Sequence, residues 1–179
     1  MILIILGDDN LDIIECIMTR RSIRSFTGEL VSNEKLDTIL RAGFQAPSAH
    51  NSQPWEFIIV RDAETIKQIK EFHKYAKMLE EAGTAIVVCG DTNKQQNMGF
   101  LVSDTSAAIQ NMLLVAHGLG LGAVWCGIYD IPKLIDNMKE TLNLPQHIIP
   151  IGMVVVGNKV QDREPQDRYD IDKIHYDTW

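Results

Sequence analysis

NLDIIECIMTRRSIRSFTGELVSNEKLDTILRAGFQAPSAHNSQPWEFIIVR, residues 10–61, carries two helical patterns before its first strand. Asn10 can cap a helix whose Leu11, Ile14, Ile17 and Met18 recur at helical spacing. Ser32 or Asn33 can cap a second, with Leu36, Ile39, Leu40 and Phe44 along one face, and Pro47 stops it. Only then does an apolar run, residues 56–61, read as a strand. The alternation of helices and strands fits α/β or α+β; two helices ahead of the first strand leave no clean βαβ spacing, which favours α+β.

Outward from that stretch, Asp62 opens a third helix that the spacing of Ile66, Ile69, Phe72 and Leu79 carries to about Ala82, with Gly83 as its stop. Residues 84–90 (TAIVVCG) are a buried strand of continuous β-branched character. Ser103 or Asp104 caps a fourth helix over 105–117, apolar nearly all round and therefore central. Strands over 123–128 and 149–157 follow, separated by a short helix from Pro132 to about Thr141. Gly118, Gly120 and Gly122 loosely fit a dinucleotide-binding glycine pattern. They follow a helix and precede a strand, the reverse of that motif's context, and read as a helix stop and tight turn.

The chain has 179 residues, 45% of them hydrophobic and 23% charged, so one domain with a full core is expected and disorder is not. A net charge of −7 argues against a general nucleic-acid or membrane-surface binder. Three scattered cysteines (Cys16, Cys89, Cys126) suit reduced thiols in a cytoplasmic protein. The five histidines show no metal-ligand spacing. Residues 1–6 are too short to span a bilayer and lack a basic n-region, so residues 1–10 read as an extra strand or mobile arm. Residues 11–160 form the domain. Residues 161–179 form a polar tail whose Tyr169, Ile171, Ile174, Tyr176 and Trp179 need a surface to lie on, such as another subunit.

Two stretches concentrate chemistry. Arg20, Arg21, Ser22 and Arg24 place three guanidiniums and a hydroxyl within five residues, suited to a phosphate or other dianion. The alternative is a solvated basic turn complementing the helix C-terminus. APSAHNSQPW, residues 46–55, offers Ser48, Asn51, Ser52 and Gln53 as mixed donors and acceptors that could read a polyol or heteroaromatic edge. The alternative is a polar connection with a core Trp55. Cys126 reads as a buried structural thiol, Asp104 as a helix cap, and Met98 and Phe100 as core or lid residues.

TRRSIRSF and APSAHNSQPWEF, followed by YAKML, SDTSAAIQNMLLVAHGLGLGAVWCGI, IIPIGMVVVGN and RYDIDKIHYDTW, resemble the nitroreductase family of FMN-dependent oxidoreductases over nearly the whole chain from Leu11 to Trp179. The resemblance implies an α+β sandwich, with a central, mostly antiparallel sheet flanked by helices. It also implies an intertwined homodimer with FMN at the interface. By the same resemblance Arg20, Arg21, Ser22, Arg24 and Arg168 fall where the phosphate and ribityl chain are held. Pro47, Ser48, Asn51 and Gln53 match the loop laid against the flavin of the other subunit. Lys77 matches a lysine at the flavin N1–C2 edge, and Trp125, Cys126 and Gly127 match the segment facing N5 and O4. Some members carry a glutamate where Cys126 stands. The activity implied is hydride transfer from NADH or NADPH, through FMN, to a small electron-poor acceptor such as a nitroaromatic or quinone, with no side chain named as catalytic. Reductive dehalogenation, oxidative flavin breakdown and a non-catalytic flavin sensor are alternatives on the same scaffold. No nucleic acid, membrane or metal is expected to take part.

Overall fold

A computed structural model describes residues 12–179. The expected Asn10 cap and the arm over residues 1–10 lie outside the described residues. The first helix, α1 (Ile13–Thr19), starts at Asp12, whose carboxylate accepts the Glu15 N–H at 2.9 Å. It is followed by α2 (Asn33–Phe44), β1 (Trp55–Val60), α3 (Ala63–Phe72), α4 (Leu79–Ala82), β2 (Ala85–Asp91) and α5 (Met98–Gly118). β3 (Gly122–Gly127), α6 (Pro132–Thr141) and β4 (Ile148–Gly157) complete the domain.

The four strands form one sheet in the order β1-β2-β4-β3, antiparallel at every pairing. β2 and β4 occupy its centre and are buried along nearly their whole length, as their unbroken apolar character requires. Side chains alternate between the two faces. Val87, Cys89, Met153 and Val155 join the core that α3, α4 and α6 cover. Ile86, Val88, Val154 and Val156 join the core under α2 and α5. The α+β reading holds: helices lie on both faces of an antiparallel sheet. Each of these buried Val and Ile side chains contributes about 1.5–3 kcal/mol by leaving water, which pins the strand register against a one-residue slip.

Two helix boundaries differ from the sequence reading. The long helix expected from Asp62 to Ala82 is two helices, α3 and α4, with a turn over residues 73–78 between them. His73, at the end of α3, takes φ −103° and ψ 88° and is fully buried, as is Ala76. The apolar spacing from Ile66 to Leu79 is the same for one helix or for two that share a core. α5 also begins earlier than expected. Its cap is Asn97, whose side-chain oxygen accepts the N–H groups of Gly99 and Phe100, so Asp104 lies inside the helix rather than at its start. Gly83 stops α4 in the left-handed conformation, φ +64°, that its lack of a side chain permits.

Candidate active site

The arginine cluster is held at the exposed edge of the sheet. After α1 the chain turns extended at Arg20 and runs beside the edge strand β3, where the Ile23 N–H donates to the Ala123 carbonyl at 3.0 Å. Ser22 forms an isolated parallel bridge with Ala123, and Phe26 an antiparallel one with Lys159. Ile23 and Phe26 are buried, so their packing sets the path of the segment while the polar residues between them stay accessible. Arg24 is exposed; Arg20, Arg21 and Ser22 are half-buried.

The guanidiniums differ in their roles. Burial, reinforced by the charges of Arg21 and Arg168, pushes the Arg20 pKa below its ordinary value. Arg21 donates to the carbonyls of Met18, Arg20 and Gln166, tying the start of the tail to the end of α1. Its Nε is buried with no hydrogen-bond partner. A cluster of like charges with an unsatisfied donor is unfavourable by itself and becomes favourable when an anion sits in it.

Arg24 opens onto a groove of about 520 Å³. One wall comes from the turn after α3 and from α4, with Lys74, Tyr75, Lys77, Met78 and Glu81; the other is Val124, Trp125, Cys126 and Gly127 of β3. The fold thus brings Arg24, Lys77, Trp125, Cys126 and Gly127 together from three distant stretches. A Cβ at Gly127 would meet nothing within 4 Å, so the groove is open above this residue. At Gly152 on β4, by contrast, a Cβ would stand 2.4 Å from Trp125 Nε1, so glycine there lets the indole lie across the strand. Cys126 is buried, its thiol donates to the Tyr75 carbonyl at 3.4 Å, and burial pushes its pKa up to about 11. It is a structural thiol at neutral pH.

Pro47, Ser48, Asn51 and Gln53 lie elsewhere, on a loop between α2 and β1 whose residues do not line this groove. Ser48 Oγ accepts the Gln53 N–H, and the Gln53 amide donates to Asn51. His50, Asn51 and Gln53 all have positive φ, 56°, 54° and 47°, a costly set for residues with side chains. What holds them is Asp104, 5% exposed on α5. Its carboxylate accepts the Ala49 N–H at 2.9 Å and faces the Ser52 hydroxyl at 3.4 Å. Gln95, also buried, reaches Ser52 with its amide nitrogen. The cap role expected for Asp104 is therefore a loop-holding role. No local signal could have revealed it, because the partners are about fifty residues away. Phe100 is exposed, with its ring 6.0 Å from that of His50.

Among the described residues no group of three or more His, Cys, Asp or Glu side chains is arranged to hold a metal, and no helix is long and apolar enough to cross a membrane.

The nitroreductase family model matches residues 17–74 and 71–158. The chain belongs to the nitroreductase family. A Methanothermobacter thermautotrophicus protein named "Putative NADH dehydrogenase/NAD(P)H nitroreductase" is 40% identical over 94% of this chain and 88% of its own. A crystal structure of the same name from Parabacteroides distasonis superposes with a TM-score of 0.90 at 42% identity, over 93% of this chain and 98% of that one. A Desulfovibrio desulfuricans relative solved in complex with FMN gives a TM-score of 0.82 at 30% identity, over 94% and 98% of the two chains. As a nitroreductase-family member the protein is an oxidoreductase of the NAD(P)H nitroreductase and FMN reductase kind.

Proposed function

We propose that the protein binds FMN in the groove between β3 and the 73–78 turn and passes reducing equivalents from NADH or NADPH to small electron-poor acceptors such as nitroaromatics and quinones. The observation that carries this reading is the meeting of a mixed apolar and cationic groove with a cluster of guanidiniums, one of which keeps a buried, unpartnered N–H. Arg20, Arg24 and Arg168, with Ser22, would hold the phosphate and ribityl chain. Arg21 would close that cradle while fastening the tail. Trp125, Cys126 and Gly127 offer a surface without a side chain at Gly127, suited to a flat ring. Lys77 adds positive charge at the groove wall, which favours an electron-rich, anionic ligand over a neutral one. FMN, when bound, supplies a centre that takes hydride from the nicotinamide and gives it up to the acceptor. The chain's own residues bind, orient and set the electrostatic environment, and no side chain is required as acid or base.

The reading includes a homodimer in the cytoplasm. Ile13, Ile14, Ile17 and Met18 on α1 are exposed, as are Tyr169, Ile171, Ile174, Tyr176 and Trp179 in the tail. So many large apolar groups outside the core favour a partner subunit, and a second copy would let the 47–53 loop reach the other chain's groove. Cys89 and Cys126 are buried thiols, which accords with a reducing compartment.

The absorbance spectrum of the purified protein tests the reading. Visible flavin absorption that bleaches on adding NADH or NADPH, and returns with menadione or a nitrofuran, is expected. A colourless protein that takes up no added FMN would sink it. Turnover of halotyrosines in preference to nitrofurans and quinones would redirect it to a dehalogenase.

A further inference from the structure

His73 is fully buried, yet it is a polar ring in an otherwise apolar core. Its Nε2 lies 3.0 Å from the Gly127 carbonyl. A carbonyl only accepts, so Nε2 carries the proton. Nδ1 is buried without a hydrogen-bond partner. Donation from Nε2 to a carbonyl makes the neutral Nε2–H form the favoured one, and burial lowers the His73 pKa. Two residues further on, the Tyr75 carbonyl accepts the Cys126 thiol. Two adjacent residues at the end of β3, Cys126 and Gly127, are thus each bonded to the 73–78 turn. That turn carries Lys74, Tyr75, Lys77 and Met78 into the opposite wall of the groove.

We propose that His73 is a positioning residue that clamps the two walls of the groove together through its Nε2–H bond to Gly127, with the Cys126–Tyr75 bond as the second point of attachment. His73 is not among the residues lining the groove, and its bond to Gly127 fixes where Gly127 and Lys77 stand relative to each other. The inference rests on the groove being the ligand site, but its test does not depend on flavin alone.

The test compares wild type with His73→Gln, whose amide N–H can reach where Nε2–H does, and His73→Leu, which keeps the bulk and removes the bond. N-ethylmaleimide labelling is followed residue by residue, by peptide mass, in protein freed of flavin. His73→Leu should label Cys126 about tenfold faster than wild type, the effect of losing one buried hydrogen bond on local opening. Cys89, in the centre of β2, should keep its rate and so report that the fold is intact. His73→Gln should return Cys126 to within about threefold of wild type, and FMN affinity should follow the same order. Equal Cys126 rates in all three proteins would overturn the clamp. So would equal loss in the Gln and Leu variants, or acceleration of Cys126 and Cys89 together. If neither variant folds, imidazole nitrogen NMR on wild type decides: an Nε2–H tautomer at neutral pH supports the clamp, and an Nδ1–H tautomer refutes it. If wild type takes up no FMN, the flavin reading fails while the labelling order still judges the clamp.

Discussion

Cys126 and Cys89 are thiols that burial keeps protonated, with pKa values pushed up to about 11 and about 12 from an ordinary 9.0. The unfolded chain therefore ionises first. The stability linked to these thiols is full below pH 9 and is lost as pH rises through the folded values. The urea midpoint should fall from about pH 9 upward, and Cys126→Ala should show a shallower fall than wild type; identical slopes would contradict the burial argument. Arg168 belongs at the same scale. After burial and the charge of Arg21, its charge adds to the lowering of the Arg20 pKa, a repulsion that a bound anion would offset. Arg168→Gln should leave the thermal midpoint of the flavin-free protein unchanged or slightly raised. FMN binding by calorimetry should weaken by about 1.5–3 kcal/mol, the worth of a charge-assisted hydrogen bond. Unaltered affinity would remove Arg168 from the phosphate site.

Among the elements, α5 does more than fill the core. It runs from Met98 to Gly118 across the sheet and also carries the carboxylate that organises the 48–53 loop. Three residues with positive φ in that loop store strain that the Asp104 bonds offset. Asp104→Leu should cost about 1 kcal/mol by leaving the half-buried Ala49 N–H without its acceptor, and hydrogen exchange at Ala49 should accelerate. Asp104→Asn keeps one acceptor and should lose less. A Leu variant with wild-type stability and an unchanged Ala49 exchange rate would show that the loop holds itself.

For the whole molecule, the question is what covers α1 and the tail. The exposed apolar groups on both lie outside the hydrophobic cores of the domain. Light scattering should give a mass of two chains. Truncation after Val160 removes Arg168 and the tail together, and it should yield a monomeric or aggregating product without bound FMN. A truncated protein that remains a yellow dimer would place both the dimer contacts and the phosphate anchor elsewhere.

Much of this was legible in the order of residues alone. Short-range patterns set the strands, because continuous β-branched runs such as residues 84–90 admit little else, and turn chemistry marked Gly83 and Pro132. The guanidinium cluster stood out because its members are adjacent in sequence. The rest depended on the fold. Whether residues 62–82 make one helix or two could not be read from periodicity, because Ile66, Ile69 and Leu79 pack in one core either way. Asp104 became a loop anchor rather than a cap because Asn97 took the cap and Ala49 came within reach. Helical periodicity reports which side of a segment is buried. It does not report which distant polar group that side meets, and such meetings shaped the groove.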